Sequence, residues 1–336
     1  MYTTAISLKD FFDVSVITGD WGQDNIENRN GILVYKSFLL KRGFLNYVKA
    51  PFILWKSMRS IDADIYISSG AGPEVGIIAF FCKFNKRKSI YRTAHTIDCD
   101  GSYAKKSGLS GMIYEYGLNR ADKIVTSVRQ HQELLTERYP ELIGKVTHIN
   151  LGIFPQDSNA TREYVLWVAR CEKWKRPEIF LDIVAANQDV SFLMICPKQK
   201  HAEVYFYEIK ERAKFFSNLI FIDFVPFRNI QAYFDKAKVF VNTSDFEGFT
   251  YTLIQSGLAR TPVVYLNVNP DEVITKNRLG YVAGGDKEEM SDQIRILLDD
   301  EKDWSEKSEN IFEYANKNHD IVIVGKKWKE VLEELL

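Results

Sequence analysis

Asn242-Thr-Ser-Asp-Phe-Glu-Gly-Phe-Thr-Tyr-Thr-Leu-Ile-Gln-Ser-Gly-Leu-Ala-Arg-Thr-Pro-Val-Val264 is the run of sequence that says most about the fold. Val239–Asn242 reads as a buried strand, an acidic-glycine turn follows, and Thr250–Ala259 has helical period before the next apolar run, Val263–Leu266. Strand, turn, helix and strand is the repeat of a parallel sheet covered by helices. In such sheets ligands sit beyond the carboxyl ends of the strands, where Glu247 stands. A carboxylate there accepts hydrogen bonds from hydroxyls, Gly248 admits close backbone approach, and the amides of Thr250 and Tyr251 open a helix toward phosphate oxygens. Gln255 lies one helical turn further in. Alone, the segment is equally consistent with Glu247 as a charge complementing the helix dipole.

The same alternation runs through the chain. Strands are expected at Val14–Thr18, Ile32–Tyr35, Asp64–Ser68, Ser89–Thr93, Lys123–Thr126 and Lys145–Ile149, with helices such as Glu74–Phe84 and Val128–Arg138 between them. A second series begins at Tyr164–Ala169 and continues through Ser191–Cys196, Leu219–Asp223, Val239–Asn242, Val263–Leu266 and Gly280–Val282. Between the series, Phe154–Arg162 has Pro, Asp, Ser, Asn and Thr and little to bury. The expected plan is therefore α/β: a Rossmann-like domain over 1–154, a linker over 155–162, a second such domain over 163–318, and a C-terminal helical stretch over 319–336 that packs back across the linker. Two facing doubly wound domains imply a cleft between them.

Composition agrees. The chain has 336 residues, 46% hydrophobic and 26% charged, which excludes a disordered or collagen-like chain. Cys82, Cys99, Cys171 and Cys196 form neither a disulfide framework nor a CxxC pair, which fits a reducing cytoplasm. No stretch has the length of a membrane span, and the N-terminus lacks the order of a signal peptide. Residues 1–155 hold 20 Lys and Arg against 15 Asp and Glu, whereas the remainder is acidic.

A second motif, Trp167-Val-Ala-Arg-Cys-Glu-Lys-Trp-Lys-Arg-Pro-Glu178, sets Arg170 just past the first strand of the second series and Lys175 five residues later. With Glu247 downstream and Gln255 eight residues beyond it, the chain resembles the retaining nucleotide-sugar glycosyltransferases of the GT-B fold, family-four type (glycosyl transferases group 1). The resemblance covers nearly the whole chain. It implies that Arg170 and Lys175 hold the donor diphosphate, that Glu247 contacts the donor sugar, and that Gln255 meets the ribose where the family has a second Glu. Gly248, Phe249, Thr250 and Tyr251 complete the implied donor site. Fixed cations stabilise the charge of a departing nucleoside diphosphate, so no metal and no cofactor is expected. The bland reading of Lys173, Lys175 and Arg176 is a solvated basic loop.

In the first series, Tyr91-Arg-Thr-Ala-His-Thr-Ile-Asp-Cys-Asp-Gly101 follows a strand. His95 resembles the histidine that relatives place near the donor sugar and acceptor, where a neutral imidazole donates or accepts. Asp98 and Asp100 read equally as site carboxylates or as turn residues. Gly70-Ala-Gly-Pro73 lacks full phosphate-loop spacing and reads as a tight turn into a helix.

Residues 36–59 contain six basic residues, no acid, and many apolar ones. They read either as a surface for anionic lipid or as a helix with a solvated basic face, and Pro51 argues against one long helix. Before Val14–Thr18 only a helix-like stretch from Ala5 to Phe12 precedes, so the family's first strand and its glycine turn are expected to be missing. Neighbouring strand edges would then be unpaired and the apolar helix poorly covered: either a shortened reading of a longer protein or a weakened first domain. The resemblance implies a cytoplasmic, peripheral-membrane hexosyltransferase in bacterial surface polysaccharide or related glycan synthesis, with a glycan or lipid-linked acceptor and no nucleic acid. A non-catalytic nucleotide-sugar-binding subunit on the same fold is the alternative. A glycoside hydrolase needs a carboxylate pair, and none can be nominated.

Overall fold

The computed structural model of the chain describes residues 2–39, 44–155 and 160–336. Lys41 and Arg42 of the basic segment, and Gln156–Asn159 of the expected linker, lie outside the described residues. The chain divides into two units, Met1–Ile153 with Ile321–Leu336, and Phe154–Asp320.

The second unit is one six-stranded parallel sheet, with β8 (Tyr164–Val168), β9 (Phe192–Ile195), β10 (Leu219–Ile222), β11 (Ala237–Asn242), β12 (Val263–Tyr265) and β13 (Gly280–Val282) in the order β10-β9-β8-β11-β12-β13. All residues of β9 and nearly all of β8, β11 and β12 are buried, because helices cover both faces. Alternate residues feed two cores: Val165, Trp167, Val239 and Val241 on one face, Tyr164, Leu166 and Phe240 on the other. From β8 the chain winds outward to β10, then returns to β11 and winds the other way. The order thus reverses between β8 and β11, the topological switch point of the sheet.

In the first unit the strands form two sheets. β4 (Ile65–Ser69), β5 (Lys88–Arg92), β6 (Lys123–Thr126) and β7 (Val146–His148) make a parallel sheet in sequence order. β1 (Ser15–Asp20), β2 (Ile26–Arg29) and β3 (Ile32–Leu39) make another, ordered β1-β3-β2, in which β1 and β3 are parallel and β2 is antiparallel to β3. Among the described residues β1 pairs only with β3, and β4 only with β5. β2 was not expected: Ile-Glu-Asn-Arg is a polar strand with a single apolar residue. Its signal is Asn30-Gly31, both at positive φ (56° and 84°), the pair that closes a two-residue hairpin.

The helix Tyr2–Leu8 is well covered, contrary to expectation. Ala5, Ile6 and Leu8 are buried, packed with Ile321, Val324 and Trp328 of the closing helix Ile321–Glu333. The helix Phe44–Ile61 runs unbroken through Pro51, also contrary to expectation. Its apolar face explains this: Leu54 and Met58 are buried with Tyr66 and Phe81, and that burial outweighs one lost helical hydrogen bond.

Helices Pro73–Asn85 and Gly108–Arg120 cross in backbone contact. A Cβ added at Gly117 would lie 2.4 Å from the Gly76 nitrogen, and one at Gly76 would lie 2.1 Å from the Ile113 carbonyl oxygen. Gly117→Ala should force the helices apart and lower stability by about 1–3 kcal/mol, read from the urea unfolding midpoint. Gly144→Ala, where an added Cβ meets nothing within 4 Å, should leave the midpoint nearly unchanged.

Candidate functional site

Two loops leave the sheet at its switch point. The first follows β8. Arg170 is exposed, the Cys171 N–H donates to the Pro197 carbonyl (3.0 Å), and a short 3-10 turn, Lys173–Lys175, leads through Arg176 at φ 51° into the helix Pro177–Ala186. The second follows β11: the Asn242 side-chain oxygen accepts the Ser244 N–H (2.8 Å), and Thr250 caps the helix Tyr251–Leu258 by accepting the Leu253 N–H (3.3 Å).

The loops are joined residue by residue. The Asp245 N–H donates to the Trp174 carbonyl (2.8 Å), and the Arg176 guanidinium bonds the Asp245 carboxylate (2.9 Å). Trp174 and Phe246 stack with centroids 4.8 Å apart and planes 10° from parallel. Beside them the Lys175 ammonium is ion-paired to the Glu247 carboxylate and sits 3.9 Å from the Trp174 ring centroid. Beneath, a relay ties the loops to the strands: the Trp167 indole N–H donates to Thr243 Oγ1 (2.9 Å), and the Thr243 hydroxyl donates to the Lys175 carbonyl (2.7 Å). The Ser244 hydroxyl donates to Glu247 Oε1 (2.8 Å).

Lys175 is not part of a solvated basic loop. Its side chain is only 11% exposed and that of Glu247 6%. Burial pushes the Lys175 ammonium below its ordinary pKa, the Glu247 charge opposes this, and the nearby Arg170 charge adds to the lowering. Structure thus brings Arg170, Lys175 and Glu247 together at the switch point. Gly248 and Gln255 are buried beside them in sequence, and the Gln231 amide donates to the Gln255 carbonyl (3.0 Å). The Phe249 ring packs on His319 (centroids 4.6 Å) and the Tyr251 ring on Phe227 (6.2 Å).

His95 belongs to the other unit, exposed at the start of the short turn Thr96–Asp98. Asp98 is buried, and its carboxylate accepts the N–H groups of Ala94 (2.7 Å) and His95 (3.1 Å). Asp100 accepts the N–H and hydroxyl of Ser102, both at 2.7 Å. Both carboxylates are therefore turn residues that shape the loop carrying His95. Sequence reasoning gave Trp174 a part in shaping its loop but missed Ser244, Asp245 and Phe246; the signal for the last two was a charge and an aromatic, Arg176 and Trp174, at the matching place in the earlier loop.

A parallel sheet whose switch point carries two cations and a carboxylate, in a chain of two α/β units, has the build of the GT-B fold. Residues 162–300, which lie within the second unit, match the family model described as Glycosyl transferases group 1. Sucrose-phosphate synthase from Thermosynechococcus elongatus superposes with a TM-score of 0.79 at 13% identity, over 99% of this chain and 92% of that one. A UDP-forming α,α-trehalose-phosphate synthase from Burkholderia vietnamiensis gives 0.76 at 12% identity, over 98% of both chains. HepE from Anabaena, solved in complex with UDP, gives 0.73 at 14% identity, over 90% and 86%. No curated protein sequence matches the chain.

Removing one partner of a buried ion pair leaves the other charge without compensation. Lys175→Ala should therefore cost about 3 kcal/mol of stability in chemical denaturation, whereas Arg170→Ala, at an exposed position, should leave the unfolding midpoint in place.

Proposed function

We propose that this protein is a retaining glycosyltransferase that moves a sugar from a nucleoside diphosphate to a hydroxyl acceptor without a metal ion. The observation that carries the reading is the grouping of Arg170, Lys175 and Glu247 at the switch point of the sheet, inside the stretch that matches the family model. In this reading Arg170 and Lys175 take the diphosphate, and their charge stabilises the leaving group as the sugar passes through an oxocarbenium-like state. Glu247 exchanges the Lys175 ammonium for sugar hydroxyls. Gln255 meets the ribose, and the backbone of Gly248–Tyr251 faces the donor. His95 of the first unit serves the donor sugar and acceptor.

The known structures of this fold support a nucleotide-sugar donor, since HepE was solved with UDP-glucose and, separately, with UDP and glucose. We place the reaction in the making of a bacterial surface polysaccharide or similar glycan, on the cytoplasmic side of an anionic membrane. Among the described residues no helix is long and apolar enough to cross a membrane, so attachment in this reading is peripheral.

Arg170→Ala should lower sugar transfer by roughly 10² to 10³, the scale of losing a preorganised electrostatic contact. The assay is a screen of UDP-, GDP- and other nucleotide sugars by thermal shift, followed by transfer and donor hydrolysis with the donor that binds. Normal turnover by folded Arg170→Ala would remove the diphosphate assignment, and donor binding without turnover by the unaltered protein would make the chain a binding subunit. Gln255→Leu should weaken donor binding by about 1–3 kcal/mol, the cost of leaving a polar partner unpaired, measured by calorimetric titration. Equal affinity would make Gln255 a packing residue.

A further inference from the structure

The first unit carries an open groove of about 800 Å³ whose lining includes none of the proposed site residues. It runs between three helices, Phe44–Ile61, Pro73–Asn85 and Gly108–Arg120, and its lining is apolar throughout, including Trp55, Phe80, Met112 and Tyr116. The side chains at its mouth are turned to solvent. Phe52 is 74% exposed and Leu109 and Met112 each 68%, and Phe84, packed outside the lining against Trp55 (centroids 6.2 Å), is also 74% exposed. A soluble domain seldom leaves so many large apolar groups together on its surface without a use for them.

Charge decides what the use is. On Phe44–Ile61, exposed Lys49, Lys56 and Arg59 stand three, four and seven residues from Phe52, on the same side of the helix. Exposed Lys83 stands three residues from Phe80, and the Arg120 guanidinium lies over the Tyr116 ring, 5.8 Å from its centroid. The two acidic residues of these helices do not offset this: Glu74 is half-buried, and Glu115 accepts the Tyr139 hydroxyl (3.0 Å). An apolar trough rimmed by aromatic rings and cations matches the boundary of an anionic bilayer, where rings sit at headgroup depth and cations meet lipid phosphates. A protein partner would need an apolar ridge and an acidic rim together, whereas the bilayer supplies both chemistries everywhere.

We propose that this groove docks on an anionic phospholipid bilayer, taking an acyl chain between the three helices while Lys49, Lys56, Lys83 and Arg120 face the headgroups. This rests on the peripheral-membrane reading above and gives that reading a place in the fold.

The test is sedimentation with vesicles of phosphatidylcholine, with and without phosphatidylglycerol. The unaltered protein should bind the anionic vesicles, leave the neutral ones, and detach as salt is raised. Phe52→Ser with Phe80→Ser should reduce binding at least tenfold, and Lys49→Gln with Lys56→Gln should reduce it by roughly fivefold per cation, with nucleotide-sugar thermal shifts unchanged in both. Trp55 supplies a second readout: its fluorescence should be quenched by lipid brominated in the acyl chain, and Trp55→Phe should abolish that quenching. If the unaltered protein ignores both vesicles, the membrane reading falls and the groove with it. If it binds but the Phe pair binds equally and Trp55 is not quenched, the groove proposal alone falls. A dimer in light scattering that the Phe pair dissolves would assign the groove to a second copy and overturn the proposal.

Discussion

The alignment of β8 beside β11, Val165 to Val239 and Trp167 to Val241, is the constraint on which the rest of the second unit depends. These two strands are neighbours in space but these paired residues stand 74 apart in sequence, and the chain departs from them in opposite directions. No helix connection covers the ground between their carboxyl ends, so the loops that follow must meet there. Everything distinctive about the site is a consequence of that meeting: the stacked rings, the Arg176–Asp245 bond, and the pairing of Lys175 with Glu247.

A buried ion pair contributes little net stability, because desolvation offsets most of its Coulomb attraction. Its use here is one of positioning. The Thr243 hydroxyl fixes the backbone at Lys175 and the Ser244 hydroxyl fixes the carboxylate of Glu247, so both charges are held by the strand end. A ligand with an anionic part and a hydroxylated part can take both charges at once, replacing one pair by two with little rearrangement of either loop.

The parallel α/β character was legible because buried strands such as Tyr164–Val168 are continuous apolar runs bounded by turn residues, a pattern that few other structures produce. Arg170, Lys175 and Glu247 were legible as candidates because they stand in loops just past strand ends and, with Gln255, because they resemble the motif positions of a known family. The burial of Lys175 was not, since Lys173, Lys175 and Arg176 look alike in sequence and only the loop near Asp245 distinguishes them. The polar strand β2 was hidden for a related reason: a hairpin edge strand held mainly by backbone bonds needs no apolar period. The cover over Tyr2–Leu8 was hidden by distance, coming from residues more than 300 positions away.

That last feature bears on the order in which the chain acquires its structure during synthesis. The core around Leu8, Ile90, Val125 and Ile149 is completed by Val324, Trp328 and Leu332. The second unit lies wholly within the interval between those two sets. It can therefore close its own core while the first unit still lacks a wall, although domains made first usually fold first. The first unit is thus completed only by a helix that follows the whole of the second in sequence.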